Sequence, residues 1–204
     1  MFQIKIFVDG SVMEIPSTGI AKSTLELYKN CVKLDPSLEV IILHKDDLKC
    51  DLPSGIQSVQ LGSYMPRILW RKIILPLYIY IKKPDFVHFP WNGKVPGLIK
   101  NTKIITTIND LKPLEVPDFF KNIEDKKKYR DDTQKSIVRS DLIITISQFS
   151  KKDIIKNFNP EQDIFVLYLG PTINCEPSHK TRVDTNEQGN RSTDSYFIYV
   201  NKSS

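Results

Sequence analysis

Asp110, with Asn109 before it at the end of IITTINDL (Ile104 to Leu111), is a carboxylate expected to emerge where a strand leaves its sheet. Ligands of open α/β sheets bind beyond the carboxyl ends of the strands, where such a group can orient a substrate hydroxyl or act as a base. An Asp ahead of Lys112-Pro113 equally suits a turn cap. A second strand ending, PDFVHFPWNG (Pro84 to Gly93), offers His88 and Trp91, a polar and aromatic mixture suited to a sugar ring or a flat base. A histidine satisfied inside the core fits there as well, and Trp91 and Tyr64 also suit plain packing. The third ending, DLIITISQFSKKDII (Asp141 to Ile155), runs through Ser147 and Ser150 into a helix. Hydroxyls at a helix start can help its free amides hold a phosphate or an acceptor oxygen, or can simply cap it. Lys151 and Lys152 suit the exposed side of that helix. Finally, the loop DGSVMEIPSTGIAKSTLEL brings Ser17, Thr18 and Gly19 to the start of another helix. Gly10 and Gly19 there permit backbone conformations closed to other residues, and the helix N-terminus attracts a phosphate or a sugar hydroxyl. A long connecting loop with a capped helix is the plainer reading.

Other chemistries lack their residues. The glycine spacing is not G-x-G-x-x-G, and no Lys-Ser/Thr ending completes a phosphate-binding P-loop. The serines lack the G-x-S-x-G elbow and a histidine and acid in convincing order, which argues against a hydrolase. The cysteines, Cys31, Cys50 and Cys175, are odd in number and distant from histidines, so free thiols are expected and metal binding is not. The formal charge of +5 favours anionic partners, but the basic residues are scattered apart from Lys126-Lys127-Lys128. That triplet suits a solvated helix face, and no motif for specific nucleic-acid binding accompanies it. No apolar run reaches the roughly 20 residues of a membrane span, and MFQIKIFVDG reads as a first strand, not a signal peptide. A cytoplasmic location is the expectation. The apolar run Ile73 to Ile81 with its flanking basic pairs suits either a helix buried on one side or a peripheral contact with the inner face of the membrane; the buried helix is the more ordinary of the two.

The elements that position these residues follow from periodicity. Strand-length apolar runs recur at Gln3 to Val8, Glu39 to Leu43, Ile56 to Leu61, Phe86 to Phe89, Lys103 to Ile108, Leu142 to Ile146 and Ile164 to Leu167. Near-continuous Ile and Val is what strands buried on both faces of a parallel sheet require. Helices are expected from Ser17 or Thr18 to Leu34, then over Met65 to Lys82, Lys94 to Lys100, Glu124 to Arg139 and Ser150 to Asn157. The alternation predicts an α/β fold, a Rossmann-like, doubly wound and mainly parallel sheet flanked by helices. Residues 1–170 form that domain. Residues 171–195 are polar and predict a linker or mobile loop, while residues 196–204 begin a fresh strand, SYFIYV, of a second domain.

The runs IITTINDLKPLEVPDFF, RSDLIITISQFSKKDIIKNFN and DIFVLYLGPTIN, in this order and spacing, resemble the N-terminal half of family-4 glycosyltransferases of the GT-B fold. That family shows a strand ending in His-Asp-Leu, where this chain has Asn109-Asp110-Leu111. It shows a segment like Asp141 through Ile155, a turn where Leu169-Gly170-Pro171 stands, and a strand like Tyr196 through Val200 opening its second domain. The likeness covers nearly the whole chain, with STGIAKSTLEL and PDFVHFPWNG matching weakly.

The resemblance implies a hexosyltransferase that moves a sugar from a nucleotide-sugar donor to a glycan or lipid-linked acceptor, with retention and without a metal or other cofactor, as in polysaccharide biosynthesis. It implies that this domain holds the acceptor, lines the interdomain cleft with the Gly19 loop, and works only with a C-terminal GT-B domain supplied in cis or trans. Asp110 and Asn109 would be catalytic, and Ser17, Thr18, Gly19, His88, Trp91, Ser147 and Ser150 would bind substrate. Asn109 departs from the family's histidine: it exchanges hydrogen bonds but takes up no proton near neutral pH. Gly170-Pro171 and Asn201 depart from the family's usual turn and glycine. The alternative is a stand-alone, non-catalytic glycan- or protein-binding domain of similar fold.

Overall fold

The computed structural model describes residues 3–16, 18–92 and 95–168. The expected linker, second-domain strand and turn at Leu169 to Pro171 lie outside the described residues, as do Ser17 and Cys175. Strand β1 (Lys5–Asp9) leads through a 3-10 turn (Gly10–Val12) to α1 (Gly19–Leu34), and then come β2 (Glu39–His44) and β3 (Ile56–Gln60). One helical rod follows in three pieces: α2 (Arg67–Leu69), a π-helical turn (Trp70–Ile74) and α3 (Leu75–Lys82). After it come β4 (Phe86–Phe89), β5 (Lys103–Thr107), α4 (Lys112–Glu115), α5 (Ile123–Arg139), β6 (Leu142–Thr145), α6 (Gln148–Phe158) and β7 (Ile164–Val166).

The strands form one sheet in the order β3-β2-β1-β4-β5-β6-β7, every pairing parallel. All seven expected strands are present, and the reversal of order beside β1 is the doubly wound signature. In register, Phe7, Val87 and Ile104 point to one face, where Trp70, Leu75 and Ile79 cover them. Val8 and Ile42 point to the other face, under Ala21, Leu25 and Tyr28 of α1. Ile108, Ile143 and Ile164 pack with Ile137 of α5 and Ile154 of α6. Each large side chain buried in this way contributes roughly 1.5–3 kcal/mol.

Local chemistry sets the helix ends. The hydroxyls of Thr18 and Ser147 accept from Ala21 N and Ser150 N, and the Asn122 side chain accepts from Asp125 N. Lys83 and Asn159 close α3 and α6 in the left-handed conformation, each directly before a proline that cannot continue a helix. The helix expected at Lys94 to Lys100 is absent over residues 95–100. Pro96-Gly97 breaks the pattern, and Arg139 of α5 donates to the Val95 carbonyl, holding the segment as a packed loop.

Candidate functional site

The carboxyl ends of β1, β4, β5 and β6 and the first turn of α1 share one edge of the sheet, and Thr18, Gly19, Trp91, Asn109, Asp110, Ser147 and Ser150 lie along it, whereas the His88 ring does not open onto it. Asp110 is exposed and Asn109 half-buried just past β5. Their turn is held by Asn92, which the sequence reading did not single out. Its Oδ1 accepts from Asn109 N at 2.9 Å, and its Nδ2 donates to the Asp110 carbonyl at 2.7 Å and to Tyr129 Oη at 3.0 Å. One side chain therefore ties the loop after β4 to the loop after β5 and to α5. Asp110 Oδ1 accepts from Lys112 N, so the turn cap foreseen for it is present, and the carboxylate still faces water. Burial raises the Tyr129 hydroxyl pKa, the bond from Asn92 opposes this, and the negative charge of Asp110 adds to the rise. Tyr129 thus stays a neutral phenol beside the carboxylate.

Two buried atoms on this edge lack a hydrogen-bond partner among the described residues: Asn109 Nδ2 and Thr145 Oγ1, at the ends of adjacent strands. An unmet buried donor carries a desolvation cost, and Asn109 Nδ2 lies one residue from the exposed carboxylate. Ser147 caps α6, its hydroxyl 3.0 Å from that of buried Ser150. Capping accounts for both hydroxyls as they stand. Trp91 is 39% exposed on the same rim, next to Asn92.

His88 goes elsewhere. Its ring is 1% exposed, with Nδ1 2.9 Å from Tyr28 Oη of α1 and Nε2 2.7 Å from Thr107 Oγ1 of β5. Burial lowers its pKa to about 3 and raises that of Tyr28, so the ring is neutral. With both nitrogens engaged it offers no atom to a ligand; the core alternative holds, and its part is to fix α1 against β4 and β5.

The loop after β1 also behaves differently from expectation. Neither Gly10 nor Gly19 adopts the left-handed backbone that was its proposed reason. Gly10 is needed for space, because a Cβ there would lie 2.6 Å from Ile42 Cγ2 and 3.0 Å from the Leu43 carbonyl oxygen. A Cβ on Gly19 would meet nothing within 4 Å, so this exposed first residue of α1 borders open space. Thr18 holds the loop from both sides, donating to the Val12 carbonyl and capping Ala21 N.

An ion-pair network that the sequence reading missed lies behind this loop. Buried Asp9 accepts from Ser11 N and Ser11 Oγ and pairs with Arg71 Nη2 at 3.1 Å. Arg67 pairs with Glu14 and Asp46, while Glu14 Oε1 accepts from Lys45 N and Asp46 N. The available signal was two arginines four residues apart, Arg67 and Arg71, on one side of a mainly apolar helix, where a charge that is part-buried requires a partner. Among the described residues no cluster of His, Cys, Asp or Glu is gathered as a metal would require.

No protein-family model and no curated sequence matches the chain. Its fold is similar to that of sucrose-phosphate synthase from Thermosynechococcus elongatus, with a TM-score of 0.57 at 8% identity over 81% of this chain and 48% of that one. A structure of Glycyrrhiza uralensis UGT73P12 complexed with glycyrrhetinic acid 3-O-monoglucuronide gives a TM-score of 0.47 at 8% identity, over 84% and 49%. The chain spans about half the length of either. It has a Rossmann-like α/β fold matching one half of a GT-B glycosyltransferase.

Proposed function

We propose that this chain is the acceptor-side, N-terminal half of a retaining family-4 glycosyltransferase. The donor is a nucleotide sugar, the acceptor a glycan or lipid-linked hydroxyl, and no metal or other cofactor takes part. The observation that carries the reading is the exposed Asp110 carboxylate, braced by Asn92 at the carboxyl edge of a sheet whose fold matches half of a glycosyltransferase. Asp110 accepts the hydrogen bond of the incoming hydroxyl and orients its oxygen toward the anomeric carbon of the donor. Asn109, with its unmet Nδ2, donates to a substrate oxygen; it positions and does not transfer a proton. Gly19, open on its Cβ side, allows a bulky ligand to approach the first turn of α1, and Thr18, Trp91, Ser147 and Ser150 border the same edge; Ser17, next to Thr18 in sequence, is assigned to substrate with them. A donor-binding domain in cis or trans supplies the sugar, so the half alone is inactive.

The test is transfer of labelled sugar from a panel of nucleotide sugars by a protein in which this chain is joined to a donor-binding GT-B domain. Asp110→Ala should lower turnover at least a hundredfold while lowering stability in urea by no more than about 1 kcal/mol, the loss of its bond from Lys112 N. Asn109→His should be tolerated. Undiminished transfer by Asp110→Ala would remove the assigned role. One observation favours a second reading, a non-catalytic binding domain: the position next to Asp110 holds a residue that takes up no proton. That reading expects saturable glycan or protein binding by these 204 residues and no transfer when a donor domain is supplied.

A further inference from the structure

The rod formed by α2, the π-helical turn and α3 carries two apolar faces, and only one is covered. Trp70, Leu75 and Ile79 are fully buried against the sheet. On the opposite side Ile68, Ile73, Leu77 and Ile81 stand in water at exposures of 71, 47, 49 and 63%, with Tyr80 beside them. A helix that is apolar all round is ordinarily enclosed. The π turn makes both stripes continuous: each takes one step of five residues across it, Trp70 to Leu75 and Ile68 to Ile73, before returning to steps of four. An uninterrupted α-helix would have rotated Ile73 away from Ile68. The outer stripe is therefore a built feature roughly 20 Å long, unlike the isolated exposed Leu34 or Val138 on other helices.

We propose that this face docks on an anionic bilayer surface, with the rod lying in the interfacial plane. Charge selects that occupant. From Leu61 to Lys83 the chain has five Lys and Arg residues and no Asp or Glu. Lys72 projects beside the stripe, and Lys82 and Lys83 close its end, all three exposed. Aliphatic side chains flanked by lysines, with a tyrosine among them, are the composition of an interfacial helix. A second copy of the chain fits poorly, because a two-fold contact would set these lysines against one another. No described helix is long and apolar enough to cross a membrane, so the contact is peripheral. Arg71 to Asp9 and Arg67 to Glu14 pin the start of the rod to the carboxyl edge of the sheet. Docking would thus hold that edge close to the lipid headgroups. The docking does not depend on the transferase reading, although a lipid-linked acceptor would suit both.

Co-sedimentation of the chain with vesicles of mixed phosphatidylcholine and phosphatidylglycerol tests this, with pure phosphatidylcholine as reference. Binding should require the anionic lipid and weaken with salt. The pair Ile73→Ser, Leu77→Ser should lower apparent affinity at least tenfold, and Lys72→Glu with Lys82→Glu by about fivefold per charge removed. Leu34→Ser with Val138→Ser, elsewhere on the surface, should bind like the parent. Urea midpoints of all variants establish that they fold. The proposal is overturned if anionic vesicles bring down none of the parent, if the stripe variant binds as the parent does, or if sedimentation shows a dimer that the stripe variant dissolves. None of these readouts involves sugar transfer, so failure here leaves the proposed function untouched.

Discussion

His88 should make the stability of this domain fall in mild acid. The folded ring, buried between Tyr28 and Thr107, has its pKa lowered by burial from the ordinary 6.5 to about 3. Between those values the unfolded chain holds a proton at this position that the folded chain does not, so unfolding is favoured as pH drops. The contribution is negligible at pH 7, grows below the unfolded pKa at about 1.4 kcal/mol per pH unit, and reaches about 2 kcal/mol at pH 5. Other titrating groups act on the same curve, so the informative quantity is a difference. His88→Gln removes the titration while leaving one hydroxyl of the pair without its partner, at a cost of about 1–3 kcal/mol at pH 7. Urea unfolding of parent and variant at pH 7 and pH 5 should show the gap between them shrinking by about 2 kcal/mol at the lower pH. A gap of constant size would mean that the ring takes up its proton in the folded state as readily as in the unfolded one, and the buried triad as described would be wrong.

Gly10→Ala should cost about 1–3 kcal/mol, since its Cβ meets Ile42 and the Leu43 carbonyl inside contact distance, whereas Gly19→Ala should be neutral or stabilise by up to about 1 kcal/mol. Thermal melts of the two decide the matter, and equal losses would contradict the geometry. Asn92→Ala should lower stability by about 2 kcal/mol and abolish hydrogen-exchange protection of the Asn109 amide, whose acceptor it removes; retained protection would show that the turn is held by something else. Arg71→Met removes the guanidinium bonded to the buried Asp9 carboxylate, which keeps the nearby charge of Arg67 and its bonds from Ser11, and should cost about 1–3 kcal/mol. Adding Asp9→Asn should recover part of that loss in a double-mutant cycle, and strict additivity would count against the pair.

The inner strands were legible because a strand buried on both faces of a parallel sheet leaves little choice but Ile, Val, Leu and Phe, whereas edge strand β3, IQSVQ and largely exposed, showed only by its spacing of Ile and Val. Helix starts were legible where one hydroxyl decides them, as at Thr18 and Ser147. The expected helix at Lys94 to Lys100 ignored the weight of Pro96-Gly97, and the π turn has no local mark, because its reason is the alignment of two stripes over a whole rod. Asn92 escaped notice for a related reason. Its partners lie 17 and 37 residues away, and no spacing rule connects them.

The polar residues at the strand ends show where sequence reasoning stops. Asp9, His88 and Asp110 each stand at or just past the carboxyl end of a strand, and by pattern alone they are equivalent candidates. Arg71, reaching from the rod on one face, turns Asp9 into half of an ion pair. Tyr28, reaching from α1 on the other face, seals His88 into the core. Among the described residues the Asp110 carboxylate receives only a backbone amide, from Lys112, while Asn92 braces its main chain and leaves the side chain exposed. A strand-end carboxylate becomes available for chemistry through what the neighbouring helices fail to cover, and that property belongs to their packing, not to any local run of residues. Asp110 is therefore the first residue to replace in a search for activity, and Asn92 the second, because it holds the first in place.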